Sequence, residues 1–126
     1  MATRRQPERA AQAQIVAFLR GALRAQVYVS GTTRRRDDAH HGTMQTPGIP
    51  DLEAFVPMVG GYALLKIEVK APKGRLSLAQ VAYRTLCQEA RVEHVVGGLD
   101  EVIAWALTYE LIRADQVAHY RVPRAI

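Results

Sequence analysis

Tyr62-Ala63-Leu64-Leu65-Lys66-Ile67-Glu68-Val69-Lys70 is the stretch on which the fold of this chain turns. Side chains alternate between the two faces of a β-strand, so Ala63, Leu65, Ile67 and Val69 share one face, and Leu64, Lys66, Glu68 and Lys70 share the other. Glu68 and Lys70 are thereby neighbours. Upstream, Gly60-Gly61 marks a hairpin turn, and Asp51–Val56, entered through Gly48-Ile49-Pro50, reads as the partner strand. Asp51 then meets Glu68 across the sheet when the hairpin pairs them in a suitable register. Two carboxylates and an ammonium converge.

Working outward, Ala11, Ile15, Phe18, Leu19, Ala22 and Leu23 recur at three- and four-residue spacing and predict an amphipathic helix from Glu8 to about Leu23. Glu8 falls on the edge of its inward face, an odd place for a carboxylate without a task. Gln26–Ser30 is a β-branched and aromatic run, the first strand. Residues 31–48 lack apolar periodicity and read as a long loop, a feature that small domains often put to functional use. After the central strand, Ser77-Leu78-Ala79-Gln80 fits a capping box and opens a helix over Ser77–Arg91. His94–Val96 is a short strand, Leu99–Ile112 a second amphipathic helix, and Ala118–Val122 an edge strand before Pro123. This order predicts an α/β domain over residues 1–126, a mixed sheet flanked by helices. A doubly wound nucleotide-binding fold would need repeated strand–helix units and a glycine-rich first turn, and neither is present.

Composition narrows the partners. The chain has 126 residues, 48% hydrophobic and 23% charged, the balance of a protein that folds in water. Its longest apolar stretches, Tyr62–Leu65 and Val102–Leu107, fall far short of the roughly 20 residues that span a bilayer. No secretory signal is legible, and the single cysteine, Cys87, excludes an intrachain disulfide. The expectation is a cytoplasmic protein of a bacterial or phage-infected cell, with no membrane partner. The net charge is +5, and residues 1–36 hold eight arginines against one acid, Glu8. Arginine forks suit phosphate, so a polyanion is favoured, although a solubilising surface has the same composition.

Asp51, Glu68 and Lys70 are what metal-assisted phosphodiester hydrolysis needs. Carboxylate oxygens hold Mg²⁺ or Mn²⁺ while the ion keeps several waters, the Val69 carbonyl is a further oxygen ligand, and an adjacent lysine holds or deprotonates the attacking water. Pro50-Asp51 followed by Glu68-Val69-Lys70 resembles the PD-(D/E)XK nuclease signature. Gly48-Ile49-Pro50-Asp51-Leu52 with Ile67-Glu68-Val69-Lys70-Ala71-Pro72-Lys73-Gly74-Arg75-Leu76-Ser77-Leu78-Ala79-Gln80 resembles its VRR-NUC (virus-type replication-repair nuclease) branch. The resemblance implies a restriction-endonuclease-like fold, metal ligands Asp51, Glu68 and the Val69 carbonyl, catalytic Lys70, Gln80 assisting at the site, and Glu8 as an acidic helper and further candidate ligand. Stand-alone members occur in phages and bacteria and are similar to homodimeric Holliday-junction resolvases, which implies a role in DNA repair or recombination.

Other residues admit two readings. Gln80 serves a capping box, a catalytic site, or both, since a helix N-terminus also attracts phosphate. Arg34, Arg35 and Arg36, on the loop beside Asp51, and Lys73 and Arg75, just after the central strand, are candidate DNA-backbone contacts as well as a solvated charge run. His40 and His41 lack the spaced partners of a zinc site. His94 and His119 read as structural, and Cys87 as a buried thiol. With Trp105 on a helix and only seven Phe and Tyr residues, extensive base stacking is not expected. The leading expectation is a structure-specific endonuclease acting on four-way junctions as a homodimer. A nuclease for flap, nicked or foreign DNA and a catalytically silent DNA-binding module are the alternatives.

Overall fold

The computed structural model describes residues 5–30, 48 and 50–121. Helix α1 (Arg5–Gly21) leads into β1 (Gln26–Val29), followed by the hairpin β2 (Leu52–Met58) and β3 (Gly61–Val69), helix α2 (Leu78–Ala90), β4 (Glu93–Gly97) and helix α3 (Leu99–Thr108). A 3-10 turn at Ala114–Gln116 and a short helix α4 (Val117–Tyr120) complete it. The strands form one mixed sheet in the order β1-β2-β3-β4, antiparallel through the first three and parallel between β3 and β4. A parallel pair needs a crossover, and α2 supplies it.

The alternation read along β3 separates two environments. Leu65, Ile67 and Val69 join Leu52, Ala54 and Val56 of β2 in a core closed by Ile15, Phe18 and Leu19 of α1 and Val102, Ile103 and Ala106 of α3. On the opposite face, Gln80 and Tyr83 of α2 reach Glu68 and Lys66. That helix packs against β4, and on the same face Tyr28 of β1, Phe55 of β2 and Tyr62 at the start of β3 stay exposed. The tight connection between β2 and β3 follows from Gly60, whose φ of +88° is open to glycine at little cost.

Two expectations are corrected. Ala118–Val122 was expected to extend; the described part is helical, because Val117 and Tyr120, three residues apart, both turn onto the core while Gln116 caps the preceding turn by accepting the Arg113 N–H at 2.9 Å. The alternation Ala118, Tyr120, Val122 is a strand pattern that the three-residue spacing overrides. The helix expected over Leu99–Ile112 stops at Thr108, since Tyr109 leaves the helical region and Glu110 adopts a φ of +58°. Ile112 is nevertheless buried, which explains its agreement with the helical period. Among the described residues, no helix is long and apolar enough to cross a membrane.

Candidate active site

The hairpin register places Leu52 opposite Ile67, and its continuation sets Asp51 opposite Glu68. Asp51 Oδ2 accepts the Val69 N–H at 2.9 Å, so the carboxylate takes over a donor that the ladder would otherwise use. One further step of the register faces Val69 with the fully buried Pro50. Proline has no N–H to donate, and the Val69 carbonyl therefore receives nothing from that position. The Pro-Asp dipeptide thus leaves an oxygen and a carboxylate together at the end of the sheet.

Glu68 is 4% exposed. Its Oε2 accepts from Gln80 Nε2 at 2.8 Å, while its Oε1 is buried without any partner. Burial first, then the Asp51 carboxylate and more weakly Glu8, push its pKa from 4.5 up to about 8, against the opposing pull of Lys70. An unpaired buried carboxylate oxygen is costly and calls for a donor or a cation. Lys70 follows directly beyond β3, its N–H bound to the Gly97 carbonyl at 3.0 Å. Gly74 makes room for its stem, because a Cβ there would stand 3.3 Å from Lys70 Cδ.

Gln80 closes the capping box and also reaches Glu68. Its Oε1 accepts the Ser77 N–H at 2.8 Å, Ser77 Oγ accepts the Gln80 N–H at 3.1 Å, and its amide nitrogen is left for Glu68. The first turn of α2 is held against the other side of the site by Gly48. That residue has a φ of +90°, and a Cβ on it would lie 2.6 Å from the Ala79 carbonyl oxygen. Gly48, two residues before Pro50, is thereby fitted to the helix that carries Gln80.

The donor set suits a hard divalent cation. Asp51, the unpartnered Glu68 Oε1 and the Val69 carbonyl are all oxygens, as Mg²⁺ and Mn²⁺ prefer. Among the described residues no three His, Cys, Asp or Glu side chains gather as a metal cage, and Mg²⁺ is commonly held by one or two carboxylates while it retains waters. Glu8 lies within electrostatic reach of Glu68 and is half-buried.

Lys73 and Arg75 are exposed on the turn after β3. Arg34, Arg35, Arg36, His40 and His41 lie outside the described residues. Cys87 is buried, and burial raises its pKa. Burial also lowers that of His94, whose ring tilts against Tyr83 and whose Nδ1 has no partner. His119 is exposed and packs against Tyr120.

Two features escaped sequence reasoning. Glu93 accepts hydrogen bonds from Trp105 Nε1 at 3.0 Å and Tyr109 Oη at 2.7 Å, tying β4 to α3. A cavity of about 750 Å³ opens beside Lys70, bounded by Gln14, Pro72, Leu99, Tyr120 and Arg121. The signal for it was the Val117–Tyr120 spacing, which returns Tyr120 toward α1. Set against known protein families, curated proteins and solved structures, the chain matches none.

Proposed function

We propose that this protein is a Mg²⁺- or Mn²⁺-dependent structure-specific DNA endonuclease of restriction-endonuclease-like fold, cutting branched DNA such as four-way junctions as a homodimer. The observation that carries the reading is the buried Glu68 carboxylate, one oxygen unpartnered, set in register against Asp51 and beside Lys70. Folding two acids together under partial burial is unfavourable unless something positive, a shared proton or a cation, completes them. The likeness of Gly48–Leu52 and Ile67–Gln80 to VRR-NUC nucleases supports the same reading.

Asp51, Glu68 and the Val69 carbonyl would hold the cation. Once bound, it supplies the Lewis acidity that polarises a phosphoryl oxygen and acidifies water. Gln80 holds Glu68 in one orientation through its amide, and Glu8 adds negative charge that strengthens the demand for a cation. Lys70 orients the attacking water and stabilises the charge that builds on the phosphoryl oxygens. Lys73, Arg75 and the arginines at 34, 35 and 36 contribute backbone contacts to DNA. A junction with two-fold symmetry requires two cuts, and a C2 dimer brings two copies of the site. The exposed Tyr28, Phe55 and Tyr62 offer apolar surface for such a contact.

Cleavage of an end-labelled four-way junction, compared with linear duplex, nicked and flap DNA in Mg²⁺, Mn²⁺ or EDTA, tests this directly. Paired symmetric nicks on the junction alone, lost in EDTA and in Lys70→Ala, are the expected result. Cutting of the other substrates instead would keep the nuclease and change its target. Metal-independent binding without cleavage of any substrate would replace the proposal with a DNA-binding module.

A further inference from the structure

We propose that the cavity between Gln14, Lys70, Pro72 and Tyr120 is a nucleobase subsite, receiving the base of a nucleotide that flanks the scissile phosphate and is splayed out of its stack. The inference rests on the nuclease reading, and names what part of the substrate strand the enzyme holds beside its acids.

Size and position come first. At about 750 Å³ the cavity lies within the range of small-molecule sites. Lys70 both lines it and acts electrostatically on Glu68, so the cavity adjoins the acids and lies beside a strand whose phosphate they hold.

Its chemistry then selects among the parts of a nucleotide. Two acids, Asp100 and Glu101, stand in the lining, but their charges are engaged. Asp100 Oδ1 pairs with Arg121 Nε at 2.8 Å, and Glu101 Oε1 folds back to accept the Gly98 N–H at 2.8 Å. That fold is open only because residue 97 is glycine; a Cβ there would lie 2.6 Å from the Glu101 side chain. With Lys70 and Arg121 beside these acids the lining carries no net charge, and so has no particular hold on a phosphate. A neutral, flat group with apolar faces and a polar edge fits it instead. Pro72, Leu99 and Tyr120 form apolar walls, and Tyr120 is fixed by perpendicular ring contacts with Phe18 at 5.0 Å and His119 at 5.2 Å. Gln14 presents an exposed amide with both donors and acceptors, the match for a base edge. Nucleases and other enzymes that act on branched or single-stranded DNA meet bases that unstack at low cost.

The test is an abasic scan. Each nucleotide around the branch of a labelled junction is replaced in turn by an abasic one, and binding to the full-length protein is followed by fluorescence anisotropy in EDTA. Wild-type protein is expected to lose roughly tenfold in affinity at one position only, the size of one stacked base, and that position should adjoin the bond cut when Mg²⁺ is added. Gln14→Trp, at an exposed site on α1, puts an indole into the cavity without removing core. It should bind unmodified DNA roughly tenfold more weakly and show no further loss at the sensitive position. A flat scan, or a Gln14→Trp variant as position-sensitive as wild type, overturns the subsite even if cleavage is intact. A sensitive position without metal-dependent cutting keeps a base pocket and removes the hydrolytic reading, while failure to bind DNA removes both.

Discussion

Gln80 Nε2 donates to Glu68 Oε2 at 2.8 Å while the same side chain's Oε1 caps α2 by accepting the Ser77 N–H. One residue therefore joins a helix start to a buried acid, and its two roles separate by mutation. Ser77→Ala removes the hydroxyl acceptor of the cap and is expected to cost about 1 kcal/mol with little change in kcat. Gln80→Ala should cost a similar amount in a thermal melt and lower kcat roughly tenfold, as expected when an acid loses the group that orients it. Equal activity of the two variants would reduce Gln80 to its capping role.

Glu68 makes stability depend on pH. Its pKa is raised from 4.5 to about 8, chiefly by burial and then by Asp51, so between these values the folded chain binds more protons than the unfolded one. The share of stability that Glu68 contributes without metal is then fully present below pH 4.5 and is lost as pH rises toward 8. Glu68→Gln, which is neutral throughout and can keep the hydrogen bond to Gln80, should flatten this decline and melt higher than wild type at pH 8 in EDTA. Melting curves over pH 4–9 decide it, and parallel slopes in the two proteins would refute a proton held on Glu68.

Gly48→Ala tests the fit of the Pro50-Asp51 entry against α2. Its φ of +90° alone strains a side chain by about 1–3 kcal/mol, and the 2.6 Å approach to the Ala79 carbonyl adds to that. Gly60→Ala is a control with positive φ but open space around the added Cβ. Both should lower Tm, whereas only Gly48→Ala should also reduce cleavage by shifting Asp51 relative to Glu68.

These contrasts show which parts of the molecule were legible in the residues. The convergence of Asp51, Glu68 and Lys70 was readable because strand alternation and a short glycine-marked turn leave little freedom in register. The capping box at Ser77 was readable because its hydrogen bonds are local. The positions of Gly48 on Ala79 and of Tyr120 over α1 are tertiary facts, and nothing in the spacing of residues 48 and 79 announces that they touch. Tyr120 was further hidden by alternation in Ala118–Val122, where two periods compete over five residues. The mixed sheet itself follows from the hairpin together with the crossover helix that a parallel neighbour of β3 requires.

Asp51 supplies the last discriminating change, because it has a structural and a charged role at once. Its Oδ2 accepts the Val69 N–H, and Asp51→Asn can retain that bond through the amide oxygen while removing the charge. Asp51→Ala loses both. If the acid pair holds a divalent cation, millimolar Mn²⁺ should raise the wild-type Tm at pH 8, since a ligand at a hundred times its Kd stabilises by about 2.7 kcal/mol. Asp51→Asn should then melt at least as high as wild type in EDTA, having lost a repulsive charge beside Glu68, yet gain nothing from Mn²⁺. Asp51→Ala should be the least stable of the three in EDTA and also fail to respond. A Mn²⁺ shift that survives Asp51→Asn would place the cation elsewhere and remove Asp51 from the ligand set, whatever its part in holding the end of β3.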